Sequence, residues 1–454
     1  MKTKNSNVDM LSGSLFSNVL KFALPFMLTT FLQHLYNAAD VIIVGRYAED
    51  PTALAGVGTT GSITTLVLNL FIGLSVGVSV SLGRSIGARD DEAIHKTVHT
   101  GVAISLICGI LVSVVGIAFS KPLLSMIDVP DNVMQQAQIY MQIIFAGKMP
   151  SLIYTFGAAM FRANGDTKTP LIIVTATGIV NVILNLIFVL KFKMNADGVA
   201  LATTIAQILN AVTVLYCLSR RRDASRLEFK KLRIYKEQLL DIARIGLPSG
   251  IQSTIFSMAN VIVTSSVNSF GSAAMSGSAA ASNICEFYNG AVNSFYQASV
   301  SFVSQNFGAK QYKRITRILF TCLIYVTSLW IIITLITLLF KNQLIGLYLP
   351  NNPDAVPWGL KRLLVVGCSY GLLGYMNVMS GALRGIGHSF SAMVSAIVGV
   401  CGIRILWVIA VFPLIGTFES LFACFPLSWF GTFLLYSALY FICMKREQNK
   451  GDLQ

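Results

Sequence analysis

The chain has 454 residues, of which 54% are hydrophobic and only 12% carry charge. Soluble domains run at roughly 25% charged residues, so the composition excludes a water-soluble enzyme of this size and leaves no room for a sizeable soluble domain. The formal net charge of +14 could suit nucleic acid, but the basic residues sit in short clusters between apolar segments. There they read as membrane-topology signals, and no nucleic acid partner is expected.

At roughly 20 apolar residues per crossing, the apolar runs predict twelve transmembrane helices. The first six are expected at 15–45, 53–81, 97–120, 134–161, 168–190 and 197–219. The second six are expected at 239–268, 274–304, 315–340, 358–382, 389–412 and 417–443. This gives an N-lobe over 1–219, a basic linker over 220–238, a C-lobe over 239–443 and a tail over 444–454. The first apolar segment contains Pro25 and a polar stripe and lacks a following A-x-A-like site, so it reads as the first membrane helix rather than a cleaved signal. The eight cysteines fall inside apolar stretches without CxxC spacing, and they read as small core hydrophobes rather than metal or disulfide chemistry.

Lys and Arg fix the expected orientation. Of the 34 basic residues, 25 fall on the side of the termini and the even-to-odd connections, and seven on the other side. The positive-inside rule then places both termini in the cytoplasm of a multi-pass cell-membrane protein. The linker from Arg220 to Lys231 is basic enough to lie against anionic headgroups; a solvated tether is the alternative reading.

Landmarks recur at a nearly fixed distance. Leu24-Pro25 returns as Leu247-Pro248 (offset 223), Gly87-Ala88 as Gly308-Ala309 (221), and Arg162-x-x-Gly165 as Arg384-x-x-Gly387 (222). A half-protein has been duplicated and fused. Six crossings per half make the repeat parallel, so the expected fold is an all-α polytopic membrane protein. Its two parallel six-helix lobes are related by a pseudo-twofold axis along the membrane normal, an architecture of transporters with a site at the repeat interface.

Charged side chains inside spans cost at least about 2.5–3.5 kcal/mol on insertion scales and therefore need a role. Asp40 and Lys148 stand out in the first half, Glu286 and Arg404 in the second. Gln33, Asn37 and Asp40 are spaced i, i+4, i+7 and share one helix face, which should line a wet cavity or else glue helices together. Asn181 and Asn185 repeat the i, i+4 spacing on the fifth helix, with Thr203 or Thr204 on the sixth. Amide and hydroxyl oxygens beside one carboxylate suit a proton with water or a small cation such as Na⁺. In the second half Ser282, Glu286, Asn289 and Asn293 form a stripe on the eighth helix, and Ser253, Ser257, Asn260 and Thr264 one on the seventh. Glu286 either binds a cation or neutralises Arg404; Lys148 either pairs with Asp40 or lines the cavity. Among the span prolines (Pro25, Pro150, Pro248, Pro413, Pro426), Pro25 shares a helix with Asp40 and is the candidate hinge.

The pattern Leu24-Pro25…Asn37-Ala38-Ala39-Asp40-x-x-x-Val44-Gly45, Gly87-Ala88 and Phe161-Arg162-Ala163-Asn164-Gly165-Asp166-Thr167-Lys168-x-Pro170 resembles the multidrug and toxin extrusion (MATE) transporters. The second-half motifs Leu247-Pro248, Gln305-Asn306-Phe307-Gly308-Ala309 and Leu383-Arg384-Gly385-x-Gly387 fit as well, so the resemblance spans essentially the whole chain. It implies an antiporter that exports organic cations or drugs against inward H⁺ or Na⁺, without a cofactor, working as a monomer in the lipid bilayer. Carried over residue by residue, it makes Asp40 the main coupling residue and adds Asn181, Asn185 and Thr203 to the cation or proton site, with Na⁺ possible at Asp40, Asn181 and Asn185. Gln33, Asn37, Lys148, Glu286, Asn289 and Arg404 remain as candidate polar cavity lining. The sequence departs from the family at Asn185, commonly Asp, and near Ile255-Phe256-Ser257, where some members carry Glu; the first departure favours protons. The offset of 223 places Val263 opposite Asp40, so the halves differ in chemistry. The alternatives are a lipid-linked oligosaccharide flippase, for which Lys148 and Arg404 are few cavity cations, and a membrane-embedded enzyme, for which the scattered His34, His95, His99 and His388 offer no metal-ligand spacing.

Overall fold

The computed structural model describes residues 7–47, 53–126, 129, 131–349 and 352–451. Lys2 and Lys4, counted toward the orientation, lie outside the described residues. Among the described residues there is no strand, and helices follow one another in the predicted order. The first half holds Leu15–Tyr47, Ala53–Ala88, Asp91–Ala118, the pair Asp131–Ala146 and Lys148–Ala163, Lys168–Leu186 continued by Ile187–Lys191, and Ala196–Ser219. The second half holds Lys236–Val267, Ser272–Gly308, Tyr312–Tyr348, a segment from Pro353 to Gly385, a segment from Ser389 to Ile415, and Phe418–Gly451. We number these twelve helices first to twelfth.

Among the described residues nine helices are long and apolar enough to cross a membrane, or ten when the bent pair of the fourth helix is taken as one span. The seventh and eighth helices are absent from that set because Ser and Asn dilute their apolar character; in both, the polar stripes read from the sequence supply those residues. Apolar side chains point outward as lipid requires: Ile110, Leu111 and Val114 of the third helix are all more than half exposed.

Prolines act according to their place in a turn. Pro25, Pro248 and Pro426 lie inside continuous helices. Pro150 occupies the first turn of Lys148–Ala163, where a missing N–H costs nothing, and the 42° bend of the fourth helix falls before it, at Gly147. Pro413 likewise begins a short helical turn. Segments of π-helix at Ile187–Lys191, Leu363–Gly367, Ile397–Gly402 and Trp407–Val411 interrupt the fifth, tenth and eleventh helices; an apolar run gives no signal for them.

The chain forms two compact units. One comprises residues 28–250, with 1–8; the other comprises 9–27 and 251–454. Each border lies inside a helix, two residues beyond Pro25 and two beyond Pro248, again 223 positions apart.

Within the first unit, the core gathers Leu74, Val78, Val98, Val102, Phe156, Met160, Val214 and Leu218, and it reaches Ile242 of the seventh helix. Glycines explain why the start of that helix belongs here. Gly73 and Gly77 on the second helix meet Gly246 and Gly250 on the seventh, each pair at i, i+4. A Cβ at Gly73 would stand 2.1 Å from the Gly250 backbone nitrogen, and one at Gly77 would stand 2.3 Å from the Ile242 carbonyl oxygen. Backbones approach this closely only across small residues.

Within the second unit, the N-terminal segment is tied by its own contacts. Phe22 packs edge-on against Phe302 at 5.7 Å. The Asn306 amide donates to the Met10 carbonyl at 2.9 Å, and the Tyr325 hydroxyl donates to the Phe16 carbonyl at 2.9 Å.

Gly73→Val should lower the stability of the detergent-solubilised protein by about 1–3 kcal/mol through overpacking. Gly346→Ala, in a helix with nothing within 4 Å of the added carbon, should not. A thermal unfolding midpoint for Gly73→Val equal to that of Gly346→Ala would contradict the glycine contact.

Candidate functional site

A cavity of about 470 Å³ opens within the first unit, and Asp40 is on its wall. The first helix contributes the i, i+4, i+7 face of Gln33, Asn37 and Asp40, as its spacing predicts. The fifth helix contributes Asn181, and the sixth contributes Thr203, Gln207 and Asn210.

The four residues assigned to the coupling site from the family resemblance converge. The Asn185 amide donates to Asp40 Oδ1 at 2.6 Å, and the Thr203 hydroxyl donates to Asp40 Oδ2 at 3.2 Å. Asn181 Nδ2 donates to the Thr203 hydroxyl at 3.3 Å, and Asn185 Nδ2 lies 3.4 Å from Asn181 Oδ1. Of the two threonines left open by the sequence, Thr203 faces Asp40, whereas Thr204 donates to the Ile143 carbonyl at 3.0 Å.

This arrangement has a clear electrostatic character. Neutral donors from two other helices hold both carboxylate oxygens, and no basic side chain pairs with Asp40 among the described residues. The Asn185 carbonyl oxygen is buried without a hydrogen-bond partner, an uncommon and costly condition. A carboxylate, two amide oxygens and a hydroxyl form an all-oxygen donor set that fits a proton with water or a hard monovalent cation. Among the described residues no group of three His, Cys, Asp or Glu side chains could hold a metal ion.

Lys148 is buried, but no ion pair joins it to Asp40 and it is not on the wall of this cavity. Ser151 and Thr155 supply the fourth helix's polar groups there instead. In the second unit Glu286 is exposed and Asn289 partly buried. Of the two readings of Glu286, the neutralisation of Arg404 is not found among the described residues. Arg404 is buried and instead donates from Nη1 to Asn260 Oδ1 at 2.6 Å and from Nε to the Ser428 hydroxyl at 3.1 Å. Its guanidinium carbon lies 4.1 Å from the centroid of the Phe425 ring, so a π-face and neutral oxygens take the place of a counter-ion.

Sequence reasoning missed several groups. Gln207 and Asn210 follow the already assigned Thr203 at i+4 and i+7, the same spacing that revealed Asp40's face, and Asn210 Oδ1 accepts from the Thr177 hydroxyl at 2.7 Å. In the sequence Arg384 stands out as a repeat landmark and as part of a family motif, with no sign of a buried partner. It is buried, donating to the Tyr296 hydroxyl and, at 3.0 Å, to Gln252 Oε1. Nothing local in the sequence pairs residues this far apart.

Asn260→Leu should cost about 1.5–3 kcal/mol, the worth of a hydrogen bond to a charged group. Asn289→Leu, at a side chain with no hydrogen bond seen among the described residues, should change stability by less than about 0.5 kcal/mol. Equal thermal shifts for the two variants would show that Asn260 does not support the buried guanidinium.

A family profile, MatE, matches the chain twice, over residues 25–187 and 248–409, beginning at Pro25 and Pro248. The probable multidrug resistance protein YoeA of Bacillus subtilis (strain 168) is 24% identical over 408 residues, covering 86% of each chain. The multidrug export protein MepA of Staphylococcus aureus (strain MSSA476) is 22% identical over 409 residues, covering 89% of this chain and 90% of its own. Among solved structures, an outward-facing multidrug resistance MATE family transporter of the MOP superfamily superposes with a TM-score of 0.90 at 20% identity, over 99% of this chain and 100% of that one; at that identity the likeness speaks for the fold. Two consecutive copies of one family unit fill most of the sequence, and the chain belongs to the MatE family.

Proposed function

We propose that the protein is a secondary active multidrug efflux transporter that exchanges organic cations or drugs for an inward-moving H⁺ or Na⁺. It would act as a monomer in the cell membrane with both termini in the cytoplasm. The observation that carries this reading is the Asp40 carboxylate on the wall of a polar cavity, held by neutral donors and by no basic partner among the described residues. An anion fixed in this way is completed by a cation that comes and goes. The names of the relatives, multidrug resistance and multidrug export proteins, support the choice of cargo.

In the cycle we infer, Asp40 takes up the coupling ion from outside, with Asn181, Asn185 and Thr203 supplying the surrounding oxygens. Loading neutralises the carboxylate and weakens its hold on a cationic cargo. Discharge of the ion to the cytoplasm restores the charge. Each charge moved down the membrane potential supplies about 2.3 kcal/mol per 100 mV. Pro25, fifteen residues before Asp40 on the same helix and two residues from a border between compact units, supports a hinge that couples loading to cavity shape. The amide at Asn185, in place of a second carboxylate, supports H⁺ over Na⁺.

Asp40→Asn should abolish gradient-driven efflux of a cationic dye while the protein remains in the membrane at normal levels; efflux at the native rate would overturn the assignment. Under separately imposed gradients, the native protein should respond to pH, and Asn185→Asp should raise the response to Na⁺. Native efflux driven by Na⁺ alone would reverse the choice of ion.

A further inference from the structure

The repeat places two turns with one backbone conformation in opposite electrostatic roles. In the first half the turn Gly87-Ala88-Arg89-Asp90-Asp91-Glu92 leads into the third helix. Its counterpart, 221 positions on, is Gly308-Ala309-Lys310-Gln311-Tyr312-Lys313, leading into the ninth. Arg89 and Lys310 both adopt φ of 57°, a left-handed conformation that non-glycine residues seldom take. The backbone nitrogens of Arg89 and Lys310 close equivalent bonds, to Ile86 at 3.1 Å and to Phe307 at 3.0 Å.

The side chains then diverge. The first turn suits a helix start: Asp90 accepts from the Ala93 nitrogen at 2.9 Å, Asp91 and Glu92 follow, and Glu92 pairs with Lys96 at 2.5 Å. Negative charge there complements the positive end of the helix dipole. The second turn has no side-chain cap from Gln311 and sets Lys313 and Arg314 in the first turn of a 37-residue helix, where cations are unfavourable. A helix that needed only to start would keep the acids of its twin.

These cations surround space. A cavity of about 680 Å³ is lined by Lys310, Lys313, Arg314, Arg317, Gln311, Tyr312 and Gln448, with no acidic residue in its wall. None of the four cations forms an ion pair with a carboxylate among the described residues. Arg314 donates to the Ser12 carbonyl at 2.8 Å, its Nε is buried without a partner, and Asp9 acts on it electrostatically. That leaves Lys310, Lys313 and Arg317 exposed. Along the ninth helix, Lys313 and Arg317 are followed at helical spacing by Phe320, Ile324, Ile331 and Leu335, all exposed, so a row of cations passes directly into an apolar stripe on one face.

From this we infer that the start of the ninth helix is a binding site for an anionic phospholipid of the leaflet on the side of the chain termini. Lys310, Lys313 and Arg317 would hold the headgroup phosphate, and the stripe from Phe320 onward would receive an acyl chain. The charge pattern selects a phosphate, and the stripe beneath it selects a lipid over free phosphate.

The test uses full-length protein stripped of native lipid in detergent and titrated with dioctanoyl-phosphatidylglycerol, dioctanoyl-phosphatidylcholine and inorganic phosphate, with bound ligand counted by native mass spectrometry. The anionic lipid should saturate at least about tenfold more tightly than the neutral one, given about fivefold per basic residue near a headgroup. Lys313→Glu with Arg317→Glu should abolish that preference, and Lys313→Gln with Arg317→Gln should reduce it. Lys230→Glu with Arg233→Glu, in the linker, should leave it intact. Equal binding of the two lipids by the native protein, a preference surviving in the Glu variant, equal loss in the linker variant, or displacement of the lipid by equimolar inorganic phosphate would each overturn the proposal. The lipid and phosphate comparisons on the native protein decide the matter even where a variant fails to fold.

Discussion

A carboxylate inside a bundle of membrane helices must be solvated by the protein, because lipid offers it nothing. Asp40 meets that requirement with the amide of Asn185 and the hydroxyl of Thr203, and much of the first unit follows from doing so. Three helices have to present polar groups to one point. Their remaining faces must pack tightly enough to hold those groups in place, and the polar face must open to water rather than to lipid. The cavity of Gln33, Asn37, Asp40 and Thr203 gathers those polar groups on one wall. The second unit meets the same constraint in the opposite sign: Arg404 is buried against Phe425, Asn260 and Ser428 rather than against an acid.

The duplicated frame does not imply duplicated chemistry. Pro25 and Pro248, the paired glycine turns and the two profile matches keep a spacing of 221 to 223 positions. At Val263 the second copy has no carboxylate, and Gln311, Tyr312 and Lys313 stand where the first copy has Asp90, Asp91 and Glu92. Backbone conformation recurs between the halves at Arg89 and Lys310 and at Gly165 and Gly387, while the side chains around the first pair diverge.

Close packing of small residues shapes the compact units as much as polarity does. Gly73 and Gly77 against Gly246 and Gly250 bring the start of the seventh helix into the first unit. Reciprocally, the segment before Met27 is held in the second unit by Asn306, Tyr325 and Phe302. Each exchange ends two residues past a helix-internal proline, where a backbone hydrogen bond is missing and a change of direction is least costly.

The sequence alone determined the helical class, the order of the helices, the repeat and the helix faces that carry polar residues, because apolar runs and i, i+4 spacing are local properties of the chain. It also singled out Asp40, since a lone acid in an apolar helix is visible without any partner. Only the tertiary structure decided that Gln207 and Asn210 join Thr203 on the cavity wall, that among the described residues no ion pair joins Lys148 to Asp40 or Glu286 to Arg404, and that the first and seventh helices change allegiance at their prolines. The same holds for the neutral partners of Arg404, which lie 144 and 24 residues away. Those outcomes depend on which helix faces meet and on a rotation of some 100° per residue, so a single step along the chain turns a side chain from the cavity into the packing between helices.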